Sequence, residues 1–226
     1  ITPVALTIVI LPFYLDSIGI ERYGLIATIW AITSYFSISD LGIGRAVSQR
    51  IAKSDGNSEE QKQILGNAFL LNTALGLVGA ILLQTTVTYF FTELAKTNST
   101  ELRLEAIACT PWIAAMIPVI VFRSTLVGTL QGLQQFKSLG ACNIFATTLA
   151  QLLPLIAAKT ISPSLEVVVA AIFAARCCSL ALLGLLTRSA LTFIPQIMLS
   201  RKTSTELLRY GGWISITALL SPILVV

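Results

Sequence analysis

Long apolar runs alternate with short polar turns along most of the chain, and their lengths predict helices that cross a membrane. The plainest run, 23–44, follows the polar turn Asp16–Arg22 and carries one charge, Asp40. As a helix, its 22 residues rise about 33 Å, enough for a hydrocarbon core of about 30 Å. It continues into Arg45–Lys53 (RAVSQRIAK), which reads as a helical extension with basic residues. Asp55-Gly56-Asn57 then breaks the helix, and Ser58 with Gln61 has the spacing of a capping box for the next one.

The same reading predicts six spans and the start of a seventh. They are 1–15, 23–44, 64–91, 106–128, 138–158 and 165–187, with another opening at Gly211. Pro3 and Pro12 are compatible with membrane helices. The segment 190–199 (ALTFIPQIML) reads as an amphipathic stretch in the membrane interface. The expected fold class is all-α, a polytopic membrane helix bundle. The chain starts without Met and ends inside an apolar run, so it is expected to be a fragment.

Composition agrees. The chain is 55% hydrophobic and 12% charged, with a mean hydropathy of +0.82, whereas a soluble domain carries about 25% charged residues. The net charge of +4 is concentrated in a few loops, a pattern of membrane topology rather than of nucleic-acid binding. Nine Lys and Arg fall in the segments assigned to the inner side and four in the outer ones. The positive-inside rule then orients the N-terminus toward the cytoplasm.

Three ionisable residues fall within predicted spans. Arg176 lies near the middle of the sixth, where a central Arg costs about 2.5–3.5 kcal/mol on insertion scales. It either lines a cavity for an anionic substrate or locks helices together through an ion pair or carbonyls. Arg123, near the inner end of the fourth span, lines the same kind of cavity or snorkels to the interface. Asp40 shares a predicted helix face with Thr33, Ser37 and Gly44. That face either lines a water-filled path, with Asp40 binding a coupling cation or proton or pairing with Arg45 or Arg123, or packs against another helix through its small residues.

Several chemistries lack their residues. There is no histidine, and none of Cys109, Cys142, Cys177 and Cys178 has zinc-ligand spacing, so no metal site is expected and the cysteines read as packing residues. Gly42-Ile43-Gly44 lacks the third glycine, strand and Lys-Ser/Thr of a nucleotide loop. No cofactor and no enzymatic activity are expected.

Tyr23-Gly24, Trp30, Ser39–Ala52 (SDLGIGRAVSQRIA) and Leu207–Leu224 (LLRYGGWISITALLSPIL) together resemble the Wzx-type polysaccharide (O-antigen) flippases. These belong to the multidrug/oligosaccharidyl-lipid/polysaccharide exporter superfamily, and the resemblance covers nearly the whole chain. It implies a two-lobed transporter of 12–14 helices. Residues 1–187 would be the N-terminal transmembrane lobe, 188–210 a cytoplasmic inter-lobe segment, and 211–226 the start of the second lobe. The implied activity is translocation of undecaprenyl-pyrophosphate-linked oligosaccharide from the inner to the outer leaflet of the bacterial inner membrane, for O-antigen or exopolysaccharide assembly. Arg176 and Arg123 would line a cationic cavity, Arg45 and Arg50 would meet the lipid head group at the inner mouth, and Asp40 would couple an ion. The implied partners are the lipid-linked oligosaccharide and membrane lipid, with a polysaccharide polymerase and chain-length proteins beside them. The alternatives are a cation-coupled multidrug or metabolite antiporter of the same superfamily, a membrane-embedded enzyme, and a passive scaffold. The first expects an acidic cavity, and the second lacks histidine and a second embedded aspartate. The third leaves a mid-membrane Arg176 without a purpose.

Overall fold

A computed structural model describes residues 2–38, 42–54, 56–89, 100–191 and 203–213. The described residues are almost entirely helical and include no strand. The helices are α1 (Thr2–Ile18), α2 (Ile20–Ile38), α3 (Ile43–Lys53), α4 (Ser58–Tyr89), α5 (Thr100–Gly132), α6 (Phe136–Thr160) and α7 (Leu165–Ala190), followed by α8 (203–213). The all-α membrane bundle expected from the apolar runs is therefore the fold. Among the described residues, α4, the Leu104–Gly132 part of α5, α6 and α7 are long and apolar enough to cross a membrane. The other two expected spans correspond to α1 and α2, of 17 and 19 residues.

Two expectations need correction. The run 23–44 is not one helix: α2 stops at Ile38, and Gly42 takes φ +65° before α3 begins. A left-handed residue cannot continue a right-handed helix, and glycine adopts that conformation without a Cβ penalty. Gly44 therefore belongs to a different helix from Thr33 and Ser37. The cap of α4 is also shifted by one residue. The Asn57 Oδ1 atom accepts from the Glu59 and Glu60 backbone N–H groups, at 3.1 and 3.4 Å. Asn57, rather than Ser58, satisfies the helix's first donors. The Gln61 side chain instead donates to Ser54 Oγ at 3.0 Å.

The chain divides into two compact units. The first comprises residues 1–33, 78–117 and 142–179, and the second 34–77, 118–141 and 180–226. The segments expected at the inner side all fall in the second unit, and the turns expected at the outer side all fall in the first. Charge follows the same division. The first unit has five Lys and Arg against six Asp and Glu, net −1; the second has ten against five, net +5.

The first unit joins its helices through a few specific polar contacts. Tyr14 donates to the Gln151 carbonyl at 2.9 Å, and the Gln151 amide donates to Thr7 Oγ1 at 2.7 Å, tying α1 to α6. Arg22 grips Glu105 with two hydrogen bonds, Nε to Oε2 at 2.9 Å and Nη2 to Oε1 at 2.6 Å. Glu105 Oε2 also accepts from the Leu165 N–H at 3.4 Å, at the start of α7. Tyr23 stands between Tyr14 and Trp30, with ring centroids 6.0 and 6.3 Å away.

The second unit is built around an apolar cluster that includes Ile43, Val47 and Ile51 of α3, Ile64, Leu65 and Ala68 of α4, Leu191, and Leu207 of α8. Buried Asn72 of α4 donates to the Val121 carbonyl at 2.8 Å and to Thr125 Oγ1, both on α5. Between membrane helices such a bond supplies specificity that apolar contacts alone lack.

Candidate functional site

The site begins with how α3 is held. Its apolar positions, Ile43, Ala46, Val47 and Ile51, fall on one face and are buried, while Arg45 and Lys53 are exposed. The buried face also carries Gly44 and Ser48, four residues apart. These meet Ser124, Gly128 and Gly132, spaced by four along α5. A Cβ on Gly44 would lie 2.7 Å from the Ser124 carbonyl oxygen, one on Gly132 would lie 2.8 Å from that of Ser48, and one on Gly128 would overlap that of Gly44. Small residues at this spacing let helix backbones approach closely. Gly42 is held similarly, since a Cβ there would sit 2.5 Å from the carbonyl oxygen of Gly211 in α8. On α8, Leu207 is fully buried, and Ser204 Oγ donates to Asn67 Oδ1 of α4 at 2.8 Å.

With their apolar sides fixed, α3 and α8 present their polar sides to a groove of about 850 Å³. Ala46, Gln49, Arg50 and Lys53 line it from α3, at helical spacings of three and four. Glu206, Arg209, Tyr210 and Trp213 line it from α8 at the same spacings, and Glu60 comes from the start of α4. Arg50 pairs with Glu206. Lys53 and Arg209 have no ion pair among the described residues. Among the described residues the groove thus has three cationic side chains against two carboxylates, and its unneutralised cations stand with two aromatics. Trp213 is 68% exposed and Tyr210 is also exposed, as is common where a helix meets the membrane–water interface. Lys and Arg offer only donors, so the groove suits an anionic, oxygen-rich group carried at the edge of the hydrocarbon. Among the described residues no cluster of histidine, cysteine or carboxylates could hold a metal.

The predicted site residues distribute unevenly. Arg50 lines the groove; Arg45 is on the same helix but does not. Arg123 is half-buried on α5 within the second unit, and Arg176 is half-buried on α7 within the first. Both are engaged by other groups, and neither lines the groove. Asp40 lies outside the described residues, as does most of 190–199. Sequence reasoning missed Lys53, Arg209, Tyr210 and Trp213 as a constellation. Their signal was present: positions 46, 49, 50 and 53, and again 206, 209, 210 and 213, each trace one helix face. That the two faces share one groove was not visible in either segment.

Solved transporter structures have this fold. An inward-facing multidrug-resistance MATE transporter of the MOP superfamily superposes with a TM-score of 0.72 at 17% identity, over 90% of this chain and 49% of that one. A MOP-superfamily transporter from Pyrococcus furiosus, whose binding pocket is described as of reversed polarity, also scores 0.72, at 19% identity over 98% of this chain and 52% of that one. The chain therefore has the fold of about half of a MOP-superfamily transporter, and its apolar helices of membrane length make it a multi-pass membrane protein. It belongs to the polysaccharide biosynthesis protein family, whose model matches residues 3–225. Among curated proteins it is 24% identical to the "Putative O-antigen transporter" of Shigella flexneri, over 99% of this chain and 52% of that protein. The chain thus spans about half the length of the relatives it matches. By name these relatives are transporters rather than enzymes, in keeping with the expectation from the missing catalytic residues.

Proposed function

We propose that this chain forms the first lobe of a flippase that moves undecaprenyl-pyrophosphate-linked oligosaccharide from the inner to the outer leaflet of the bacterial inner membrane, for surface polysaccharide assembly. The basic, aromatic-flanked groove carries the reading. In this scheme the second unit, net +5, faces the cytoplasm, which sets the N-terminus inside by the positive-inside rule. Lys53 and Arg209 attract the pyrophosphate as it arrives in the inner leaflet, with Arg45 and Arg50 beside them. Arg123 and Arg176 neutralise it during passage, and Asp40 couples an ion. A polysaccharide polymerase and chain-length proteins receive the product on the far side. A basic groove favours anionic over cationic cargo, which ranks the flippase above a cation-exporting antiporter.

The test uses the full-length protein in cells that lack their own flippase. Joint replacement Lys53→Gln and Arg209→Gln should lower surface polysaccharide several-fold at unchanged membrane abundance. Normal polysaccharide from that variant would remove the groove from the transport path.

A further inference from the structure

A second cavity, also within the second unit, has a different character. It holds about 400 Å³ between α4, α5 and α7, within the range of sites that bind small molecules, about 300–1,000 Å³. Phe69, Phe122, Leu126 and Leu180 form much of its wall, with the two phenyl rings 5.9 Å apart. Its polar lining is two consecutive residues in the last turn of α7, Thr187 and Arg188. Thr187 is 4% exposed, and its hydroxyl has no hydrogen-bond partner among the described residues. A buried hydroxyl without a partner is costly and calls for a partner that the neighbouring described residues do not supply. Arg188 is exposed and makes no ion pair among the described residues. Among the described residues, no carboxylate lines the cavity.

We propose that this cavity binds one anionic glycerophospholipid of the surrounding bilayer, with an acyl chain against Phe69 and Phe122 and the phosphodiester held by Arg188 and the Thr187 hydroxyl. The charge count selects the occupant. One guanidinium offers paired N–H donors to two phosphate oxygens and balances a single negative charge, which matches a phosphodiester. A pyrophosphate carries more charge than Arg188 alone offsets, and the basic groove suits it better. A zwitterionic lipid would bring an ammonium group beside Arg188 with no carboxylate to receive it. Bilayer hydrocarbon is as apolar as the cavity wall, so the acyl chain gains little by moving into it. Shape admits the chain, and the head-group contacts supply the selectivity.

Native mass spectrometry of the full-length protein, titrated with phosphatidylglycerol or phosphatidylethanolamine, tests the site. The expected result is one retained phosphatidylglycerol, preferred about fivefold over phosphatidylethanolamine. Arg188→Gln should remove the preference and Thr187→Val should weaken it, while Lys137→Gln, at an exposed lysine outside the cavity, should leave it unchanged. Gly184 also lines the cavity, and a Cβ there meets nothing within 4 Å. Gly184→Leu should therefore fold, fill the space and displace the lipid with Arg188 intact. Equal retention of both lipids by the unaltered protein would overturn the proposal, as would unchanged retention in Gly184→Leu or equal losses in Lys137→Gln and Arg188→Gln. None of these readouts depends on flippase activity, so the site stands or falls separately from the transport reading.

Discussion

The two units spend their charges differently. In the first, Arg22 and Glu105 neutralise each other through two hydrogen bonds, and the same carboxylate reaches the start of α7. Lys159 rests 5.1 Å from the centre of the Phe13 ring. In the second, Arg45, Lys53, Arg188 and Arg209 have no ion pair among the described residues, and three of these four line cavities. Cohesion in the second unit comes mainly from its apolar cluster, small-residue packing and the Asn72 contacts, with the Arg50–Glu206 pair also joining α3 to α8. Charge that holds helices together is unavailable to a ligand. Where backbone contact does the holding, the cations stay open.

The contrast can be broken most sharply at Gly128. Gly128→Leu should force α3 off α5, at a cost of about 3 kcal/mol or more. Thermal unfolding of the full-length protein should show the largest loss among these substitutions, and a wild-type melting temperature would mean that the close packing is not what holds the second unit. Arg22→Ala should come next, costing about 1–3 kcal/mol because hydrogen bonds between charged groups are lost at a partly exposed site. Surface polysaccharide should then fall only as far as protein abundance does. A specific transport defect at full abundance would give the Arg22–Glu105 pair a ligand role that its mutual neutralisation argues against.

Smaller effects are expected in the second unit. Lys53→Gln and Arg209→Gln should each weaken binding of a pyrophosphate-bearing lipid about fivefold without moving the melting temperature. A stability loss as large as that of Arg22→Ala would erase the distinction between the units. Glu206→Gln removes the partner of Arg50. It should cost about 0.2–1 kcal/mol of stability and tighten head-group binding, whereas weaker binding would make Glu206 an organiser of the groove. Lys62→Ala should matter least. Its partner Glu59 is exposed and one helical turn away, with Lys62 half-buried, and such pairs contribute about 0.2–0.5 kcal/mol.

The sequence by itself determined the helices and where charge resides. Apolar runs of membrane length must become helices, because hydrocarbon offers no partner to an unpaired backbone group. Hence α4, α6 and α7 begin and end within a few residues of the turns that Gly, Pro and charged side chains predict. The basic character of 45–53 and 201–209 was equally legible, as was the sense of the helix faces that carry it. Tertiary structure decided the break at Gly42, since a glycine permits a left-handed residue but does not require one. It decided that Gly44 and Ser48 dock on Ser124, Gly128 and Gly132, for small residues are neutral until another backbone approaches them. It also brought Lys53 to one groove with Arg209, 156 positions away along the chain, and joined Thr187 and Arg188 to the phenylalanines of α4 and α5. Those meetings depend on how each helix is rotated about its axis, which the burial of neighbouring side chains sets and no single segment encodes.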